Sequence, residues 1–492
     1  MPGGAEGLIH LRRCLEQAAD GAGSAAVILD LDLRNAFPSL EWPAVREATG
    51  DLIPELAAWT AWCHSRPGAI QLPCGEWIEC DRGAEQGDPL GPAYCAVVLI
   101  RCAEAGRQAV EQKGGWCWDA WHMDDGQVML PPDMAAVYLT AFDEALVAAG
   151  GTRVAGDTFK SQARLIGSPA ARAAVPAAWH AGIVSQTCKV ASPAAAAAGK
   201  VLGVDLSGET LAEQLRSATT RVDEARRAIL GIGDAPAELS LLRMSANVCR
   251  IVHLLRAAGP DLGTDALQAF DDAQDECLGA LLGGALPSLC AEKAACGASD
   301  GGLGLRRARD LQLPAFLASR TEARGLAEEL GQTLPSEWQE LLFTLWSRTT
   351  DAALERWQQE LTPPAAAVAA QALEEASAAA DARCARFVGR LPPAFDPEAG
   401  DALAKRVACA LVSPAGLEDP EHPDAPSRQL QHRLADMVAQ ERIGDIRQRL
   451  VDGGGLACGQ AAGRPPPPWH GPLLDVGPCR GRRRSGAQRG VR

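Results

Sequence analysis

The chain has 492 residues and carries 47 basic against 62 acidic side chains, a formal net charge of −15. Its 47% apolar and 22% charged content excludes global disorder. The acidic balance argues against a protein that coats nucleic acid over its whole surface, because phosphate neutralisation needs clustered Lys and Arg.

Residues 1–20 read as a helix with Leu8, Leu11, Leu15 and Ala18 on one face, ended by the Gly21–Ser24 break. Ala25–Leu33 is a short apolar run that predicts a buried strand carrying two carboxylates at period two, Asp30 and Asp32. Asn35–Trp42 reads as a turn, and Pro43 suits the start of a following helix. Gln71–Asp81 has hairpin character around Cys74-Gly75, and Gly83–Pro92 is a loop punctuated by Gly and Pro. A helix of small and apolar residues is expected from Ala93 to about Val110. Trp116–Leu130 alternates around Asp124-Asp125-Gly126, a hairpin signal between two short strands. Met134–Ala149 reads as a helix and Lys200–Leu206 as a strand.

From about residue 208 long helical periodicities dominate, as in Leu211–Leu230 and Leu239–Ala257. A Gly-rich segment, Asp300–Leu305, interrupts them before a helix running toward Arg324. Residues 351–390 are Ala-rich and helical with a Pro-Pro break at 363–364. The tail 453–492, rich in Gly, Pro and Arg, is expected to be disordered.

Three pieces of this chain suggest chemistry together. Asp32 ends an apolar strand, Asp124 and Asp125 sit at a hairpin tip, and the loop Arg82–Pro92 lies between them in sequence. Apolar strands rarely present carboxylates unless something compensates the charge, and a pair of divalent metals would do so. Two-metal phosphoryl transfer uses carboxylates from separate segments to hold two cations about 3.5–4 Å apart. Mg²⁺ suits such hard oxygen ligands, few in number and completed by water and phosphate.

In this order the segments resemble the reverse transcriptases of non-LTR retrotransposons. Leu31–Leu40 looks like their first palm motif, and Gly83–Pro92, with Gln-Gly-Asp-Pro-Leu, looks like the second. His122-Met-Asp-Asp-Gly126 stands where their aromatic-x-Asp-Asp motif lies. Phe159-Lys160-Ser161 resembles the following lysine motif, Lys200–Val204 the primer-grip hairpin, and the stretch ending in Gly301–Leu305 the region after the core. The resemblance covers about residues 1–325.

It implies an α+β right-hand palm, with a small antiparallel sheet carrying the aspartates, followed by an all-helical thumb and extension. The divisions it suggests are a fingers remnant (1–24), a palm (25–207), a helical thumb or connection (208–325), an Ala-rich helical region (326–452) and the tail (453–492). Asp32 and Asp124 would ligate two Mg²⁺ ions (or Mn²⁺), with Asp125 supporting and the Leu33 carbonyl as a further ligand. Phe37 would lie under the sugar of the incoming deoxynucleoside triphosphate, where its ring would clash with a 2′-hydroxyl. As a residue pattern alone, Phe37 has a core side chain as its alternative reading. Gln86 and Gly87 would let backbone and amide approach the RNA template and the nucleotide opposite the DNA primer. Lys160 would protonate or neutralise the pyrophosphate leaving group, or else is a solvated surface lysine. Arg82 would touch phosphate or cap a loop.

Two departures stand out. Only 31 residues precede Asp32, so just the end of a fingers region is expected, and His122 replaces the usual aromatic or small residue. An alternative reading is therefore a catalytically inactive retroelement remnant acting as a helical interaction protein. The sixteen cysteines are scattered from Cys14 to Cys479 without a C-x-x-C pair and read as reduced thiols. With neither a secretory leader nor an apolar run of ~18–20 residues, a soluble intracellular protein without a membrane partner is expected.

Overall fold

The computed structural model describes residues 4–84, 87–153, 160–191, 199–388 and, singly, 434, 437, 443, 444, 446 and 448. All elements below belong to one compact unit spanning Met1–Ile446. Helix α1 (Gly4–Ala19) leads into strand β1 (Ala26–Leu31), followed by a single turn, α2 (Ala36–Ser39). Helices α3 (Trp42–Leu52), with Pro43 in its first turn, and α4 (Pro54–Cys63) precede the hairpin β2 (Gly68–Gln71) and β3 (Trp77–Cys80). Then come α5 (Gly91–Gln112), the hairpin β4 (Trp118–His122) and β5 (Asp125–Leu130), α6 (Ala135–Ala148) and β6 (Gln162–Ile166). Short elements α7 (Pro169–Ala173), α8 (Ile183–Thr187) and β7 (Lys189–Val190) close this half.

The protein is mixed α+β, mostly helical, with one five-stranded sheet in the order β4-β5-β1-β6-β7, antiparallel except for β6 with β7. Strand β1 lies at its centre, and period two sends its side chains alternately to two different cores. Val27, Leu29, Leu31 and Leu33 pack with α5 and α6, among them Val98, Leu139 and Phe142. Ala26 and Ile28 face the other way, onto Leu11 and Leu15 of α1 and the aromatic Trp338. A strand buried on both faces has to be apolar throughout, which is why Ala26–Leu29 contains no polar residue.

The segment read as one strand, Lys200–Leu206, is instead a hairpin of β8 (Lys200–Val201) and β9 (Val204–Asp205). Leu202 and Gly203 at its tip both have positive φ, the geometry of a tight two-residue turn. The helical half follows as α9 (Gly208–Ile229), α10 (Ala235–Ser245), α11 (Val252–Ala258), α12 (Thr264–Leu282), α13 (Ser288–Ala295), α14 (Ala308–Gly331), α15 (Ser336–Gln359) and α16 (Pro363–Val388). The single helix expected over Leu239–Ala257 is broken between α10 and α11. There the Ala246 carbonyl accepts from Arg226 Nε at 3.0 Å, and Asn247 Oδ1 accepts from its neighbour Val248 at 2.7 Å. A side chain from α9 takes the carbonyl and the adjacent Asn247 takes the amide that a continuous helix would use. Helix α14 enters with its first amides on a carboxylate from α12: Ala308 N–H donates to Asp271 Oδ1 at 2.7 Å.

Helix α1 does not stand alone. It packs on α14 and α15 against the sheet, joined by His10 Nε2 to Ser319 Oγ at 2.8 Å and by Arg13 to the carbonyls of Ala257 and Ala258. Trp118 Nε1 donates to the Leu330 carbonyl at 2.9 Å, tying β4 to the end of α14. No helix among the described residues is long and apolar enough to cross a membrane. The tail 453–492 and most of 389–452 lie outside the described residues.

Candidate active site

One face of the sheet changes character along β1. Ala26 and Ile28 are covered by α1 and α15, Asp30 comes next, and Asp32 follows just past the strand end. At Asp30 the cover is polar. Arg12 Nη2 lies 3.3 Å and Arg164 Nη2 3.8 Å from Asp30 Oδ2, while Glu16 Oε1 accepts from Arg12 Nε at 2.9 Å and Arg164 Nη2 at 2.7 Å. Two guanidiniums and two carboxylates thus neutralise one another.

At Asp32 the β1–β6 ladder has ended, its last pair being Asp30 with Gln162. Beyond it, Leu33 bridges to Arg153, and Arg34 N–H donates to the Thr152 carbonyl at 2.9 Å. Between the two pairings, Asp32 N–H donates to Ser161 Oγ at 3.1 Å, and that hydroxyl donates to the Asp32 carbonyl at 3.4 Å. The neighbouring Lys160 puts its Nζ 3.3 Å from Asp32 Oδ1. Leu33 buries its side chain in the α5–α6 core.

The other two carboxylates arrive on the β4–β5 hairpin. His122 pairs with Asp125, so Met123 and Asp124 form a two-residue turn, with Met123 in the left-handed region at φ 55°. Gly126 has to be glycine: an added Cβ would stand 2.4 Å from the ring of its cross-strand partner Trp121, which stacks on Phe142 below. Gly126 also pairs with Leu31 of β1. Asp125 therefore emerges beside Asp32 at the ends of adjacent strands and on the same sheet face, the face that carries Gln127 and Met129 further along.

These carboxylates feel one another. Partial burial and then the charges of Asp124 and Asp32 push the Asp125 pKa up to about 6, against the pull of Lys160. Burial lowers the pKa of His122, so it is a neutral imidazole at neutral pH. The donor set fits hard divalent cations. Asp32 Oδ1 is shielded from solvent without a hydrogen-bond partner, and the ammonium beside it is on a side chain 63% exposed. Among the described residues no group of three or more His, Cys, Asp or Glu side chains is placed so as to hold a metal ion by itself. Ions held here would draw remaining ligands from backbone carbonyls, water and phosphate oxygens.

The substrate-side residues sit on two turns stitched together. Phe37 is half-buried against the α5–α6 core, and its carbonyl accepts from Ala84 N–H at 2.9 Å. Gly83, at φ 67°, passes so close that a Cβ would stand 2.4 Å from Pro38 Cα. Trp42 Nε1 closes the stitch on the Gly83 carbonyl at 2.9 Å. Arg82 is exposed, with its ion pairs to Glu41 at 3.8 Å and Asp81 at 3.9 Å rather than to the aspartate group. Gly87 is exposed at φ 102°, while Gln86 and Phe159 lie outside the described residues.

The structure thus brings Asp125 and Lys160 beside Asp32, with Asp124 at the adjoining hairpin turn, and attaches Phe37 to the loop of the second motif. Sequence reasoning missed Ser161 and the Arg12–Glu16–Arg164 partners of Asp30. The period-two pair Asp30/Asp32 hinted at a second carboxylate role, but nothing local named its partners. No protein-family model matches the chain, and no curated protein matches it.

Proposed function

We propose that the chain is the palm and helical thumb of an RNA-directed DNA polymerase of the non-LTR retrotransposon type. The observation that carries this reading is the convergence of Asp32, Asp124 and Asp125 from separate segments, with Asp125 raised to about 6 by burial and its neighbours' charges. Three carboxylates against the single ammonium of Lys160 leave surplus negative charge at the sheet end, which suits a site that takes up cations. Asp32 and Asp124 would hold two Mg²⁺ (or Mn²⁺) ions with support from Asp125 and the Leu33 carbonyl. Bound there, the ions would stabilise charge on the attacking 3′-oxygen of a DNA primer and on the departing oxygen of the deoxynucleoside triphosphate.

The protein's own groups do the rest. Lys160, on its exposed tether, turns from Asp32 toward the pyrophosphate oxygens and supplies positive charge or a proton. Phe37, fixed by the Ala84 and Gly83 contacts, occupies the space a 2′-hydroxyl would need. Gln86 and Gly87 would let backbone and amide approach the RNA template and the nucleotide, and Arg82 would touch phosphate.

Primer extension on an RNA template with Mg²⁺ tests this. Wild type should extend, and Asp124→Asn should fall on the order of 10³-fold, the upper range for removing one electrostatic stabiliser. Equal rates for the two proteins would sink it. A second reading, an inactive remnant serving as a helical interaction protein, is favoured by the lack of a complete three-acid cage among the described residues. It expects no extension and no divalent-ion binding.

A further inference from the structure

We propose that Ser161 is a positioning residue for Asp32, fixing where that carboxylate stands as the site takes up divalent cations. The inference rests on the polymerase reading above. In the register of β1 with β6, Asp30 pairs with Gln162, so a regular antiparallel ladder would go on to set Leu31 opposite Ser161 and Asp32 opposite Lys160. Both backbone groups of Asp32 would then go to the Lys160 backbone. Instead one hydroxyl, that of fully buried Ser161, accepts from the Asp32 N–H and donates to its carbonyl.

The substitution has two consequences. Asp32 keeps a satisfied backbone at a point where the sheet has run out, so its Cα and side-chain direction are held. The Lys160 backbone is released from the ladder, and its side chain is left beside the carboxylate at 3.3 Å. Ser161 is itself anchored from the far side, its carbonyl accepting from Lys189 N–H at 2.9 Å as β7 begins. The hydroxyl therefore relays the rigidity of the β6–β7 pair to Asp32. Neither β1, which ends at Leu31, nor the Leu33–Arg153 bridge does this for Asp32 itself.

The test is Mn²⁺ binding to the full chain without nucleic acid, read by electron paramagnetic resonance, alongside the denaturant midpoint of each variant. Ser161→Ala should weaken Mn²⁺ binding about tenfold, the equivalent of one well-placed hydrogen bond. Ser161→Thr and Ser161→Val share a shape and differ in the hydroxyl; Thr should retain most of the affinity and Val should lose it. A core variant such as Val27→Ala should lower the midpoint and leave Mn²⁺ affinity alone, separating positioning from general loosening. Wild-type affinity in Ser161→Ala, or equal losses in the Thr and Val variants, overturns the proposal while the polymerase reading stands. If the wild type binds no Mn²⁺, that reading fails and the role of Ser161 goes with it.

Discussion

Asp30, on β1, and Asp32, just past its end, lie two residues apart on one sheet face, yet the protein surrounds them differently. Asp30 stands under α1, facing Arg12 and Arg164 with Glu16 closing the network. Asp32 stands where that cover ends, with one ammonium from an exposed side chain and two further carboxylates on the neighbouring β4–β5 hairpin. Each has one carboxylate oxygen without a hydrogen-bond partner, so burial of an orphaned oxygen does not separate them. The mobility and balance of the neighbouring charge does. Fixed, equal and opposite charges make a joint; surplus negative charge facing an exchangeable cation makes a site.

Substitution at the open end gives the largest expected effect and should be confined to chemistry. Asp124→Asn, with its loss on the order of 10³-fold in extension, should leave the denaturant midpoint at or above that of wild type, because it removes like-charge repulsion. Substitution at the covered end should do the opposite. Asp30→Ala leaves Arg12 and Arg164 to share Glu16, and should cost about 2–3 kcal/mol of stability. That is below the figure for a fully buried pair because one carboxylate remains. Mn²⁺ affinity should survive in the fraction that folds. Were Asp30→Ala to abolish Mn²⁺ binding at unchanged stability, the division between joint and site would be wrong.

The covered end also contains a pH-dependent group. His10 is buried between Phe316 and Trp346, and burial, then Arg320, Arg13 and Arg256, hold its pKa well below the ordinary 6.5. As pH falls through 6.5 the unfolded chain takes up a proton that the folded His10 refuses, so this contribution is full above 6.5 and is lost below it. Urea midpoints at pH 7.5 and 5.5 should show a drop in wild type that shrinks in His10→Gln. An equal drop in both would place the acid sensitivity elsewhere.

What was legible in the chain follows the range of the interactions. The β4–β5 hairpin, α5 and β1 are written in local periodicity and turn residues and form where expected, except that β1 stops at Leu31 and leaves Asp32 just past its end. The union of α1 with α14 and α15 is not, because His10 meets Ser319 across 309 positions and no local pattern encodes that pairing. The break before α11 escaped for the same reason: Arg226, 20 residues away, claims the Ala246 carbonyl. At the site, the aspartates announced themselves as carboxylates on an apolar strand and at a turn. Ser161 did not, since a buried serine is an ordinary residue until its hydroxyl is seen substituting for a ladder partner.

The smallest expected effect concerns the hairpin tip, and there the open end departs from the covered end once more. Met123 holds a left-handed φ of 55° beside Asp124 with no glycine to ease it, and its side chain is 40% exposed, so packing does little to justify the conformation. For an L-residue this geometry costs about 1–2 kcal/mol. Met123→Gly removes the strain but adds freedom to the unfolded chain worth about 0.5–1 kcal/mol, leaving a net gain of roughly 0.5–1 kcal/mol. The denaturant midpoint should therefore rise slightly. Mn²⁺ affinity should move the other way, because glycine lets the turn sample conformations that carry Asp124 away from Asp32. A variant that gains stability while losing Mn²⁺ affinity would mark the strain as part of the site. A lower midpoint would show instead that Met123 is held by contacts stronger than its exposure implies, and that the tip belongs with the covered end.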